Sequence, residues 1–159
     1  MQTFLPYADF KLSAQCLDMK RLGKQRVEAF QILNLLIKQS HDIRFVRRWR
    51  NHPAVLMWEG YETALASYGW NICKEWIKRG YKDTLTPKFS ELLTLTEKLG
   101  DVPYPFWLYK EDFHISHRSN LLKKDYQYYS KYFGTELADT FPYIWPVRLI
   151  NGEKVLCQI

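Results

Sequence analysis

The sequence predicts a mostly α-helical protein, a compact single-domain helical bundle over residues 1–159 that closes in a short β-hairpin or a turn-joined extended tail. Three observations carry this expectation. Apolar residues recur at steps of three and four along most of the chain, the period of a helix with one buried face. Pro53, Pro87, Gly80 and Gly100 stand at the edges of those periodic stretches. Extended character emerges only near the C-terminus. With 159 residues, 47% hydrophobic and 25% charged, the chain is long enough to bury a core and too apolar to be disordered.

Residues 1–10 form an apolar lead-in with one proline. A first helix is expected over 12–20 and a second over about 23–39, with Ala29, Phe30, Leu33 and Leu36 near one face. The basic stretch 41–51 follows. Pro53 suits a first helical turn, with Asn51 or His52 as its cap. Tyr61, Leu65, Tyr68, Ile72 and Trp76 then form one apolar stripe, Lys78 and Arg79 favour a last turn, and Gly80 suits the stop. A single helix of roughly 27 residues, about 40 Å long, follows from this pattern. Thr86-Pro87 opens another helix, with Phe89, Leu92, Leu93, Thr96 and Leu99 along it, and Gly100 ends it. Residues 101–108 read as a rigid aromatic loop, and 112–124 as a helix continuing irregularly to Phe133. The segments VRLI and KVLCQI, joined at Asn151-Gly152, read as the hairpin.

The charge is unevenly placed. Of a net +6, residues 20–50 carry nine Lys/Arg against Glu28 and Asp42, a local excess of seven. A concentrated positive field suits a polyanion, because phosphate contacts release condensed counterions. Aromatic residues make up 16% of the chain, more than a core of this size needs, and surplus rings serve interfaces and base-stacking platforms. Cys16, Cys73 and Cys157 form no CxxC pair and read as reduced thiols of a cytoplasmic protein. The first residues lack a secretory pattern, and no apolar run is long enough to span a membrane.

Three constellations carry chemistry. Arg21, Lys24, Gln25 and Glu28 stand at i, i+3, i+4 and i+7, one polar stripe on a helix. A carboxylate among cations can stabilise a developing oxocarbenium ion or move a proton while the cations hold phosphates. The same spacing also suits an ordinary exposed face with Glu–Lys pairing. The basic run before Pro53, with Arg47, Arg48, Arg50, Asn51 and His52, resembles a nucleic-acid contact at a helix start, and His52 equally suits a capping role. In the late helix His114, His117 and Arg118 share a face, with Asn120, Lys123, Lys124 and Tyr129 beyond, a mixture suited to backbone neutralisation and stacking of an extruded base. No Walker, GxGxxG, HExxH or GxSxG motif is present.

Taken in order, these segments resemble the pyrimidine-dimer DNA glycosylase family of the endonuclease V type, in a divergent bacterial or phage branch. The resemblance rests on Leu12-x-x-Gln15-x-Leu17, Arg26-Val27, the stretch Trp58 to Thr84, HISHRSNLL, and YYSKYFG ending at Gly134. It spans residues 1–134 and leaves 135–159 as a C-terminal extension. It implies a helical DNA glycosylase with AP-lyase activity, no metal and no organic cofactor, acting as a monomer on double-stranded DNA with a flipped base. The implied nucleophile is the free α-amine of the chain. α-Amines as a class have a pKa of about 7.7–8.0, so a usable fraction is neutral at physiological pH. Gly23 stands where the resemblance implies a catalytic glutamate, and Glu28 lies five residues on, about 140° around a helix. Gln2 stands where the family has a threonine, and its size favours retention of Met1, whose amine then becomes the nucleophile. The catalytic candidates are therefore Met1, Gln2, Glu28 and His52. The expected DNA contacts are Arg21, Lys24, Gln25, Arg26, Arg47, Arg48, Arg50, Asn51, His117, Arg118, Asn120, Lys123, Lys124 and Tyr129. Two other functions fit the same sequence: a non-catalytic nucleic-acid-binding protein on this scaffold, and a metal-dependent nuclease using His114 and His117.

Overall fold

The computed structural model describes residues 1–38, 49, 51–97, 103–137 and 139–158. Asp9 caps the first helix, its carboxylate accepting from the Leu12 N–H at 2.9 Å. That helix, α1, covers Phe10–Cys16 and is shorter than expected. Arg79 explains where it stops. Its Nη1 donates to the Leu17 carbonyl at 2.8 Å and its Nη2 to that of Gln15 at 2.9 Å, satisfying carbonyls that a helix end leaves without partners. Asp18 then starts α2, Met19–Lys38, by accepting from the Arg21 N–H at 3.0 Å.

The expected long helix is two helices. Pro53–Trp58 forms α3, with His52 as its cap, and Glu62–Lys78 forms α4. Gly60 separates them at φ +83°, a backbone conformation that L side chains rarely adopt. Thr86–Glu97 forms α5. The late helix ends at Lys124, as expected, and its continuation to Phe133 is a separate helix. Glu111–Lys124 forms α6 and Tyr126–Phe133 forms α7, because the Asp125 carboxylate caps the second at the Tyr128 N–H, 3.1 Å away. The hairpin is present with a shifted register. Ile144–Arg148 (β1) pairs antiparallel with Lys154–Gln158 (β2), so the first strand starts before Pro146 and the connection is longer than Asn151-Gly152 alone. β1 packs against α3 and α6.

Most large rings serve the core. Trp58, Trp107, Tyr68, Tyr129, Phe89 and Phe113 are fully buried, with Trp58 and Trp107 edge to face at 5.0 Å. The core thus accounts for many of the surplus aromatics, while Tyr81, Phe106, Tyr126, Tyr132 and Phe141 remain exposed. Tyr104 and Tyr109, in the loop before α6, are the most exposed of the described rings. Among the described residues no helix is long and apolar enough to cross a membrane. Cys16 and Cys73 are buried and unpaired, and burial pushes both thiols up to about 12.

The N-terminal segment runs extended through this core, with Thr3, Phe4 and Leu5 buried. Thr3 Oγ1 accepts from Trp58 Nε1 at 3.0 Å and faces Met57 Sδ. The Leu5 N–H donates to His117 Nδ1 at 3.1 Å, and the Leu5 carbonyl lies 2.8 Å from His114 Nδ1. His114 Nε2 meets the Leu108 carbonyl at 2.6 Å. The two histidines therefore hold the terminal segment, and they do not converge on a metal site: no group of three metal-ligating side chains occurs among the described residues.

Burial, and then the charge of His114, push the pKa of His117 down to about 3. An unfolded chain binds a proton at this histidine below about pH 6.5, whereas the folded chain does not until near pH 3. The stability it contributes is thus complete above pH 6.5 and is lost as pH falls toward 3, by at most about 1.4 kcal/mol per pH unit. Melting temperatures measured from pH 7 to 4 should fall steadily. In His117→Gln, whose amide can still accept from Leu5, the slope should flatten to what His52 and, at the acid end, Asp18 and Asp83 contribute. An unchanged slope would assign the acid sensitivity elsewhere.

Candidate functional site

Helical geometry puts Lys20, Lys24 and Glu28 one turn apart along α2, with Arg21 beside them. These four side chains line a pocket of about 300 Å³ together with Met1, Gln2, Phe4, Lys124 and Tyr143. Four cationic side chains thus face one carboxylate. Glu28 is 8% exposed. Its Oε1 lies 3.7 Å from Lys24 Nζ, but Lys24 is mostly exposed, so water screens the pair and leaves the lysine free to meet an anion. Arg21 is held more firmly. Its Nη1 donates to Asp18 Oδ2 at 2.6 Å, and the Tyr129 hydroxyl donates to the same oxygen at 2.5 Å. Burial works against the Asp18 carboxylate, but bonds from Tyr129 and Arg21 outweigh it, and its pKa falls below the ordinary value.

Gln25 fixes the start of the chain in this pocket. Its Nε2 donates to the Gln2 carbonyl at 2.8 Å and to Glu28 Oε2 at 3.1 Å. Its Oε1 accepts from the Phe4 N–H at 2.9 Å and lies 2.6 Å from the Tyr68 hydroxyl. Both amide hydrogens and one lone pair are used, and the Tyr68 proton is shared between the Gln25 oxygen and the Phe4 carbonyl, 2.9 Å away. One buried side chain therefore sets the spacing between the first residues and Glu28. His52 approaches from the start of α3, its Nδ1 accepting from the Ala54 N–H at 3.2 Å. Burial lowers its pKa, and the positive charge of the chain terminus lowers it further, so terminus and imidazole lie within electrostatic reach.

A carboxylate, the Met1 end of the chain and four cations line one pocket, an arrangement that can hold an anion beside groups capable of acid–base and amine chemistry. A family model described as pyrimidine dimer DNA glycosylase matches residues 1–88. The chain belongs to that family. No curated protein and no solved structure matches it. The matched residues include the terminal segment and the whole of α2, hence every pocket residue except Lys124 and Tyr143.

Among the residues singled out in the sequence, Met1, Gln2, Arg21, Lys24, Glu28 and Lys124 meet in the pocket. Lys123 and Asn51 are exposed outside it. Arg47, Arg48 and Arg50 lie outside the described residues. Several expected DNA contacts have structural tasks instead. Gln25 is fully buried behind the pocket. Arg26 pairs with the buried carboxylate of Asp83 and stacks 4.5 Å from the Trp76 ring centroid. His117 and Tyr129 are fully buried. Arg118 donates to the Pro6 carbonyl at 2.7 Å and pairs with Glu111. Asn120 bridges the carbonyls of Ser116 and Phe141, at 2.8 and 3.0 Å. Lys20, Phe4 and Tyr143 were not singled out. Lys20 stands one turn before Lys24 and extends the same stripe, so the spacing could have revealed it.

Gly23 has a packing role on another face of α2. A Cβ there would sit 2.9 Å from two ring atoms of Trp76, closer than carbon atoms approach. Trp76 is itself stacked on Tyr81 and covered by Arg26, so it has little freedom to move. The carboxylate that lines the pocket is Glu28. Installing the acid with Gly23→Glu should therefore add no base-release activity in a gel assay and should destabilise the fold by about 1–3 kcal/mol in urea. A rise in activity would contradict this assignment.

Proposed function

We propose that this glycosylase releases a damaged or modified base from double-stranded DNA by attack of its own terminal amine, and that it then acts as an AP lyase. The observation that carries the proposal is the shared pocket of Met1 and Glu28, with Gln25 bonded to both neighbourhoods. The amine nitrogen attacks C1′ of the deoxyribose of a flipped nucleotide. The bond from C1′ to the base breaks, and the base leaves with its electron pair and takes up a proton. Loss of a proton from nitrogen and opening of the sugar ring then give a Schiff base. Glu28 stabilises the positive charge that develops on the sugar and carries protons, and His52 is the second acid–base candidate. Gln2 acts through its backbone, as the carbonyl that Gln25 holds. Lys20, Arg21, Lys24 and Lys124 receive the flanking phosphates, assisted by Lys123 and by the basic run before Pro53. The reaction uses no metal or organic cofactor, and one chain contains the whole pocket, in keeping with a monomer.

Borohydride reduces a Schiff base to a stable amine, so a duplex containing an abasic site should become covalently linked to the protein. Selective acetylation of the terminal amine should abolish the adduct, and Glu28→Gln should slow base release by about 10²–10⁴-fold while DNA affinity persists. Binding without any adduct or base release, in either protein, would leave a non-catalytic DNA-binding function. Affinity should also fall steeply with salt, as phosphate contacts require.

A further inference from the structure

The pocket has one wall from far along the chain. Tyr143 immediately precedes β1 and lines the cavity opposite residues that come from the first 28 positions. The segment around it is stitched to α6. The Phe141 N–H donates to Ser119 Oγ at 3.0 Å, the Asn120 amide to the Phe141 carbonyl at 3.0 Å, and the Ile144 N–H to Ser116 Oγ at 3.1 Å. The Tyr143 ring packs edge-on to His117 at 5.5 Å and against Trp145 at 5.5 Å. Backbone and ring are thus fixed at several points. The hydroxyl is the exception: it is buried and has no hydrogen-bond partner among the described residues.

Buried hydroxyls in folded proteins are almost always paired, and one without a partner is destabilising. Its setting supplies a reason. Burial raises the pKa of the phenol and the Arg21 charge acts in the opposite sense, so the group is a neutral donor beside a cation. A donor and a guanidinium together complement an oxygen bearing negative charge. The flat ring in the same wall complements the face of a base or sugar.

We propose that Tyr143 is a substrate-binding residue, whose hydroxyl donates to an oxygen of the nucleotide held in the pocket while its ring packs against that nucleotide. The C-terminal extension thereby completes a site otherwise built almost entirely from the family-matched part of the chain. This rests on the pocket being the glycosylase site, and binding separates the two claims from the chemistry. The full-length protein, Tyr143→Phe and Tyr143→Ala would be titrated with a duplex carrying a tetrahydrofuran abasic analogue and with the undamaged duplex. Borohydride trapping on a true abasic site would be timed at saturating protein. Tyr143→Phe should weaken binding of the analogue duplex about fivefold to tenfold and leave the undamaged duplex unaffected. Tyr143→Ala should lose more, through loss of the ring. A Phe variant equal to the parent protein would overturn the proposal, as would equal losses on both duplexes accompanied by a lower melting temperature, which indicate a structural role. If the parent protein prefers the analogue duplex yet forms no adduct, the amine mechanism fails and the Tyr143 result stands. If the parent shows no preference, both fall together.

Discussion

The burial of residues 3–5 is the constraint on which the rest of the structure depends. An extended segment inside a helical protein has backbone donors and acceptors that no helix satisfies, and each must find a partner. Here the partners come from different helices. Gln25 of α2 and Tyr68 of α4 reach the Phe4 backbone, His114 and His117 of α6 reach that of Leu5, and Trp58 of α3 bonds the Thr3 side chain. These side chains could otherwise have stayed on the surface. Because they turn inward to the terminal segment, the helices that bear them have fixed mutual orientations around it.

The same constraint shapes the candidate site. A chain terminus is ordinarily frayed, and a nucleophile on it would spend most of its time out of position. Burial of the next residues leaves only the first two free to vary, and Gln25 limits even these by holding the Gln2 carbonyl. The arrangement is pre-organised by packing rather than by the ligand. It also makes the helical phase of α2 decisive. Positions 20, 21, 24 and 28 face the pocket, whereas Gly23 faces Trp76 and Arg26 faces Asp83.

Much of this was legible in the sequence, and the remainder was hidden for identifiable reasons. Periodicity gave the helices, since burying one face of a helix imposes it directly. The end of α6 at Lys124 was legible, whereas the break at Gly60 was hidden, because one glycine between a helix-starting proline and an apolar stripe has too weak a signature to divide the run. Lys24, Arg21 and Glu28 could be grouped because spacing on a single helix is a local property. Whether a cation meets DNA or a carboxylate is a non-local property. Arg26 has the same local credentials as Arg21, yet Asp83, far along the chain, takes it. His114 and His117 suggested ligands at helical spacing, and nothing near them in sequence indicates that Leu5 and Leu108 are their partners. Tyr143 carried no signal at all, since its place in the pocket depends on how the segment before β1 is stitched to α6.

The contacts of Leu5 also dictate an order of assembly. Its partners lie 109 and 112 residues further along the chain. During synthesis, the Leu5 backbone must wait for its partners until α6 has been made. Contacts so distant in sequence form slowly, because a long loop must close before they stabilise anything. Early helices such as α1 and α2 can form beforehand, but their inner faces stay open until the terminal segment is captured. The pocket is therefore among the last features to mature, and a chain truncated before α6 would keep the partners of Thr3 and Phe4 but leave the Leu5 backbone without its histidines.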